Sequence, residues 1–325
     1  MTGQIRSRAV AAIALIGATT LAACGGSDSG GGSTHAQRHA AAEKLIRIVH
    51  SVNPKASSGR IDATIDLDIK GSPRFRGVAE VTANGVWNLP DGAVTPDVDL
   101  DVGLTLNGGV LGGTLVVADG TGYIKLGNAG YKLPAAISRT LIAPAAVAHN
   151  GLTKTAAMFY INPQNWQRNA QLVGDTSVAG EPVQQITGQV RPDLAFRDLA
   201  HLVHFLTLIH VTQALGLPTE LGPKLRAALV RSVTLAKGAV WIGKSDHVLR
   251  KAHLLGKAVI APHDRKLLFG ATSATLDATI DISDVGAPET ISAPTQLDSY
   301  GDLQLSLSAL AEATRRQDRH AGADR

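Results

Sequence analysis

The chain has 325 residues, with 31 Lys and Arg against 27 Asp and Glu, a single cysteine, and few aromatics: five Phe, four Tyr and three Trp. A near-neutral balance with no basic stripe of interleaved aromatics excludes nucleic acid as a partner. One thiol excludes an internal disulfide framework, so aliphatic burial must hold the fold.

Residues 1–23 begin with Arg6 and Arg8, continue as an apolar run from Ala9, and close on Leu21, Ala22 and Ala23 ahead of Cys24. Basic, apolar, then small is the layout of a secretory signal. A cysteine directly after the cut predicts its lipoprotein form: Cys24 carries a diacylglycerol on its thiol and a further acyl chain on its exposed amine. Two or three chains anchor durably, at roughly 0.8 kcal/mol per buried methylene. An ordinary secreted protein with an incidental cysteine is the alternative. The expected location is the cell membrane, lipid-anchored on its extracytoplasmic side. Without residues 1–23 the formal charge falls from +4 to +2, since that segment holds two Arg and no acid.

The expected organisation is a signal (1–23), a flexible Gly/Ser tether (24–36), one folded domain (37–310) and a charged, disordered tail (311–325). Ala42, Leu45, Ile46 and Val49 fall at spacings of three and four and predict a helix over 37–51, stopped by Asn53 and Pro54. Ile61, Ala63, Ile65, Leu67 and Ile69 then alternate with Asp62, Thr64, Asp66, Asp68 and Lys70, a strand with one apolar and one solvated face. The pattern returns over 98–106, and Asn107, Gly108 and Gly109 read as a hairpin turn. Further strands are expected over 111–117 and 123–126, with weaker ones over 75–83 and 85–89. Residues 134–148 and 152–160 read as helical or irregular, 184–190 as a strand, and 193–215 and 219–231 as helices. Strands resume over 238–242, 248–258 and 267–282. The sum is α+β: an antiparallel sheet with helices laid on one face.

Asp97, Asp99 and Asp101 alternate with Val98 and Leu100, so they point from one face of a strand rather than converging as a calcium loop requires. His201, His204 and His210 share the long helix without a third ligand or a His-Glu-x-x-His, and helix-surface histidines are the simpler reading. No Gly-x-Ser-x-Gly elbow or phosphate-binding glycine loop is present, so no metal, no cofactor and no enzymatic activity are expected.

Residues 176–190 (TSVAGEPVQQITGQV), 239–250 (AVWIGKSDHVLR) and 278–286 (ATIDISDVG), with the signal and tether, resemble the actinobacterial LppX/LprG/LprA lipoproteins. These are themselves similar in fold to the periplasmic carrier LolA. The resemblance covers 175–295 best, and the extra material around 134–170 and 193–235 departs from it. It implies a strongly curved antiparallel half-barrel with helices on its concave face. The implied function is binding of acylated lipids or lipoglycans in a hydrophobic cavity and their carriage across the envelope, with a membrane lipid transporter as a further partner. Strand parity and helical phase then name Ile65, Leu67, Leu100, Val102, Leu104, Leu202, Phe205, Leu206, Leu225 and Leu276 as candidate lining. Two other readings stay open: an anchored scaffold or accessory protein with a packed core and no cargo, and a lipid hydrolase with Ser or Asp beside a cleft histidine.

Overall fold

The computed structural model describes residues 33–309, except 52, 76, 108, 162, 215 and 216, together with residue 312. The signal, Cys24, most of the expected tether and nearly all of the expected tail lie outside the described residues. The described residues from Thr34 on form one compact unit.

Helix α1 (His35–Val49) opens on a reciprocal cap. The Thr34 hydroxyl accepts from the Gln37 N–H, and the Gln37 side chain accepts from the Thr34 N–H. Six strands then run outward in chain order: β1 (Ser58–Lys70), β2 (Val78–Asn88), β3 (Asp97–Leu106), β4 (Gly109–Ala118), β5 (Thr121–Leu126) and β6 (Ala129–Lys132). Helices α2 (Ala135–Ile142), α3 (Gly151–Met158) and α4 (Pro163–Trp166) carry the chain to the far edge. There β7 (Gln167–Val178) and β8 (Glu181–Val190) pair. Helices α5 (Pro192–Leu208), α6 (Val211–Ala214) and α7 (Pro223–Ser232) follow, and β9 (Val233–Gly243), β10 (Leu249–Val259) and β11 (Ser273–Ser283) return to β1. The short β12 (Leu297–Asp298) pairs with β6 in parallel, and a last helical segment covers 300–309. The twelve strands form one open sheet, ordered β12-β6-β5-β4-β3-β2-β1-β11-β10-β9-β8-β7, and every other pairing is antiparallel.

Turn chemistry sets the hairpins. Asp119 and Gly120 both take positive φ (49° and 69°), as do Ala179 and Gly180 (50° and 84°), the backbone that two-residue hairpin turns need. Three sequence expectations change. The two weak strands over 75–89 are one strand, β2. The long strand over 267–282 begins only at Ser273, because residues 261–272 fold into turns in which Leu268 is buried and Phe269 takes positive φ. The helix over 193–215 breaks at His210 (φ 64°) into α5 and α6. Strand β7 has no strong alternation to betray it, since positive φ at Asn169 and Gly174 breaks its period and shifts its register against β8.

Cross-strand register sorts the two faces. One rung reads Lys251, Asp281, Asp62, Asn84, Asp101 and Thr114, so this face is solvated. A rung of opposite parity reads Ile186, Val240, Ala252, Ile280, Ala63, Ala83 and Val102. This inner face carries the helices. The main core joins Trp87, Val98, Leu100, Leu115 and Val117 of the sheet to Leu141, Met158, Phe205, Ile209 and Leu303. A second cluster seats α1 on β7–β9 through Ala42, Leu45, Val49, Ala170, Ile186 and Ile242. A third joins Ala228 of α7 to Ile260, Leu268 and Ala271, with Ile69 against it.

An ion pair locks the β9–β10 turn. Arg250 donates to Asp246 and, at 2.5 Å, to Glu181; the Arg250 and Asp246 side chains are both nearly buried. Burial alone would raise the Asp246 carboxyl, but the Val248 N–H and the Arg250 guanidinium hold it below the ordinary value. Its share of stability is therefore present above the unfolded-state pKa and lost as pH falls through the lower folded one. Arg250→Ala should cost about 3 kcal/mol by stranding a buried carboxylate. Denaturant midpoints at pH 7 and pH 3 measure this, and the cost should shrink at the lower pH.

Candidate functional site: an unroofed aliphatic band

On the inner face, between the main core and the α7 cluster, the roof is incomplete. One rung runs Leu111, Leu104, Val81, Ile65, Ala278, Leu254 and Gly238 across β4, β3, β2, β1, β11, β10 and β9. The next runs Ala79, Leu67, Leu276, Gly256 and Ala236. Every residue in these two rungs is only half-buried, apart from Ala278, which is buried. Six strand spacings of ~4.8 Å make the longer rung about 29 Å across. A bilayer's hydrocarbon core spans about 30 Å with two opposed chains, so the band exceeds the length of one acyl chain.

The band exists because of where α5 goes. It leaves the end of β8 and enters the main core with Phe205 and Ile209, packing on α7, α6, α4 and α2. Trp166 donates its indole N–H to Asp198 at 2.8 Å and ties the helix to α4. The α5 helix thus rests on other helices, and Leu202 on it stays half-buried. Small residues keep the floor low: a Cβ on Gly256 would lie 3.2 Å from the Leu276 Cβ.

The ten residues named from sequence divide accordingly. Ile65, Leu67, Leu104 and Leu276 lie in the band. Val102 and Leu206 flank the main core, while Leu100 and Phe205 are buried inside it and so are packing residues. Leu225 belongs to the α7 cluster, and Leu202 is half-buried on α5. Sequence reasoning missed Val81, Leu111 and Leu254; alternation in β2, β4 and β10 was the available signal.

Two hollows of mixed lining border the band, the first touching Ala236 and the second Leu276. One, about 690 Å³, sits where β7–β9 meet the start of α5, lined by Arg168, Gln189, Arg191, Asp193 and Lys237 among others. The other, about 470 Å³, sets Val78, Leu255 and Leu276 beside Asp66, Asp68 and Asp277. Asp99 pairs with Lys125 at 3.5 Å and Asp101 accepts from Thr114 at 2.6 Å, as expected of a solvated strand face. His201 stacks on Tyr160 and His204 is exposed, and no three His, Cys, Asp or Glu come together as metal ligands among the described residues. His253 meets Asp277 at 2.9 Å on the solvated face, away from the band. No helix among the described residues is long and apolar enough to cross a membrane.

An open antiparallel sheet, helix-covered on one face and aliphatic where the cover parts, defines an α+β sheet-and-roof class. No family model and no curated protein matches the chain. In outline it is similar to the solved structure of LprF from Mycobacterium bovis (14% identity, TM-score 0.38, 78% of this chain and 97% of that one). It is also similar to the Mycobacterium tuberculosis lipoprotein LppX (15%, 0.34, 78% and 99%), one of the proteins its sequence resembles. An outer membrane lipoprotein-sorting domain from Vibrio parahaemolyticus overlaps at 9% identity and TM-score 0.20, over 84% of this chain and 99% of that one. Overlaps this loose describe an outline; strand order and register carry the fold.

Proposed function

We propose that this chain is an envelope lipoprotein, anchored through acylated Cys24, that binds acylated lipid along the half-buried band and carries it across the envelope. The band is the observation that supports the reading. Two adjacent rungs of aliphatic side chains are half-buried apart from Ala278 and lie outside the core clusters, whereas Val102 and Ile280 of the equally half-buried rung beside them pack against the main core. Exposed apolar area costs about 25 cal/mol per Å², and an acyl chain laid on it removes that cost from both partners. Leu, Ile, Val and Ala bind hydrocarbon without demanding one shape, which suits a carrier that must release its cargo. The role is binding and transfer rather than catalysis, and a membrane lipid transporter is the partner it calls for.

Native mass spectrometry of residues 34–325 after incubation with envelope lipid extract tests this. Leaving out Cys24 keeps anchor chains from being read as cargo. A discrete mass increment, lost on organic extraction, is expected. An unliganded mass from a cooperatively folded protein would sink the carrier reading in favour of the scaffold.

A further inference from the structure

We infer that one end of the sheet, where β1, β3 and β10 finish and β2, β4 and β11 begin, is a docking rim for an anionic phospholipid bilayer. Four large aliphatic side chains are exposed there: Val110 (70%), Val259 (62%), Val78 (49%) and Leu267 (43%). Lys70, Arg74, Lys257, Arg265 and Lys266 stand exposed among them. Across 70–78, 106–110 and 257–273 the one acid is Asp264, buried against Arg231. Arg74, Lys257, Arg265 and Lys266 form no ion pair among the described residues, although Arg74 lies 4.8 Å from the centre of the Phe269 ring. Aliphatic tips within a cationic ring are what an interface of acyl chains and phosphates accepts.

Charge on the rest of the sheet selects the end-on pose. Lys70 neutralises Asp68 at 2.8 Å. Behind that pair the solvated face turns acidic, with Glu80, Asp66 and Asp277 side by side in one rung. Laying this face flat on an anionic membrane would set those carboxylates against phosphates. Standing on the rim holds them back by about 7 Å, two residues of strand rise.

The chain also enters from this end. Val49 and Ser51 are bound by Asn150, and Asn53 by the β9–β10 turn, so α1 finishes at the opposite end of the strands. His39, near its start, meets the Ala170 carbonyl at 2.7 Å, close to where β7 begins beside the last residue of β8. Thr34 therefore points toward the rim. Cys24, the anchor proposed above, stands ten residues before Thr34 in the sequence. This last argument rests on the Cys24 anchor proposed above; the rim chemistry does not.

Vesicle flotation of residues 34–325, which lack the acyl anchor, tests the rim. Binding to phosphatidylcholine vesicles carrying 30% phosphatidylglycerol is expected to exceed binding to pure phosphatidylcholine by about tenfold or more, and to fall in 0.5 M salt. Arg265→Glu with Lys266→Glu should abolish that preference. Val110→Asp with Leu267→Asp should lower binding several-fold, while Val147→Asp, exposed at the other end, should not. Each variant should keep wild-type thermal unfolding and the wild-type lipid increment by native mass spectrometry, which separates docking from cargo binding. Equal binding to both vesicles, binding to neither, or a preference undiminished by both double substitutions would overturn the inference. If no lipid increment is seen with wild type but the anionic preference holds, the carrier reading fails and the rim stands.

Discussion

Ile65→Trp, Leu104→Trp and Ala79→Trp should each empty the protein of lipid while leaving it folded. All three positions face inward on neighbouring strands β1, β3 and β2, and all are half-buried, so an indole can extend over the open band without entering the main core. An added ring there occupies the room of several methylenes. At about 0.8 kcal/mol per buried methylene, displacing only two weakens binding by more than tenfold. Native mass spectrometry should show the increment reduced about tenfold or more, with thermal unfolding near that of wild type. A series in which all three variants keep the full increment would remove the band from the binding site.

Trp87→Ala should be the most damaging of the simple truncations. The indole is fully buried and lies over Gly59, its direct partner on β1, where an added Cβ would sit 2.5 Å from the ring. The glycine and the tryptophan are thus a matched hollow and filling. Truncation opens a cavity bordered by backbone that cannot collapse, and the expected loss is about 4 kcal/mol in a denaturant titration. The indole N–H has no hydrogen-bond partner among the described residues, so Trp87→Phe should recover most of the loss. A loss under about 1 kcal/mol for Trp87→Ala would mean that the Gly59 hollow closes by itself.

Strand parity was the most readable feature. The alternation from Ile61 to Ile69 fixes which side of β1 faces the helices, and the register confirms that assignment through β2, β3 and β11. Helical phase was less informative. It places Leu202, Phe205 and Leu206 on the sheet side of α5, yet depth differs between them because α5 is held by other helices and by Trp166. Phase gives direction and leaves distance open. Residues 261–272 misled for a related reason: Leu268 shares parity with Leu276, but positive φ at Phe269 and Gly270 turns the chain first. The open band itself was not readable, since it depends on what the helices fail to cover.

The seam between β1 and β11 has a consequence for how the chain reaches its fold. Arg60 is partnered by Ser283, so the inner edge of β1 waits for a strand more than two hundred residues downstream. Beyond that seam, and apart from the short β12 on β6, each half of the sheet is built from neighbours in sequence: β1 to β6 on one side, β7 to β11 on the other. Two separately ripening half-sheets with a late joint make for slow maturation, because loop closure over such a span precedes any reward. During that interval β1 and β11 each offer an unsatisfied edge to any other chain nearby. A polypeptide delivered across a membrane N-terminus first would therefore benefit from a holdase that shields the first half-sheet until the second emerges.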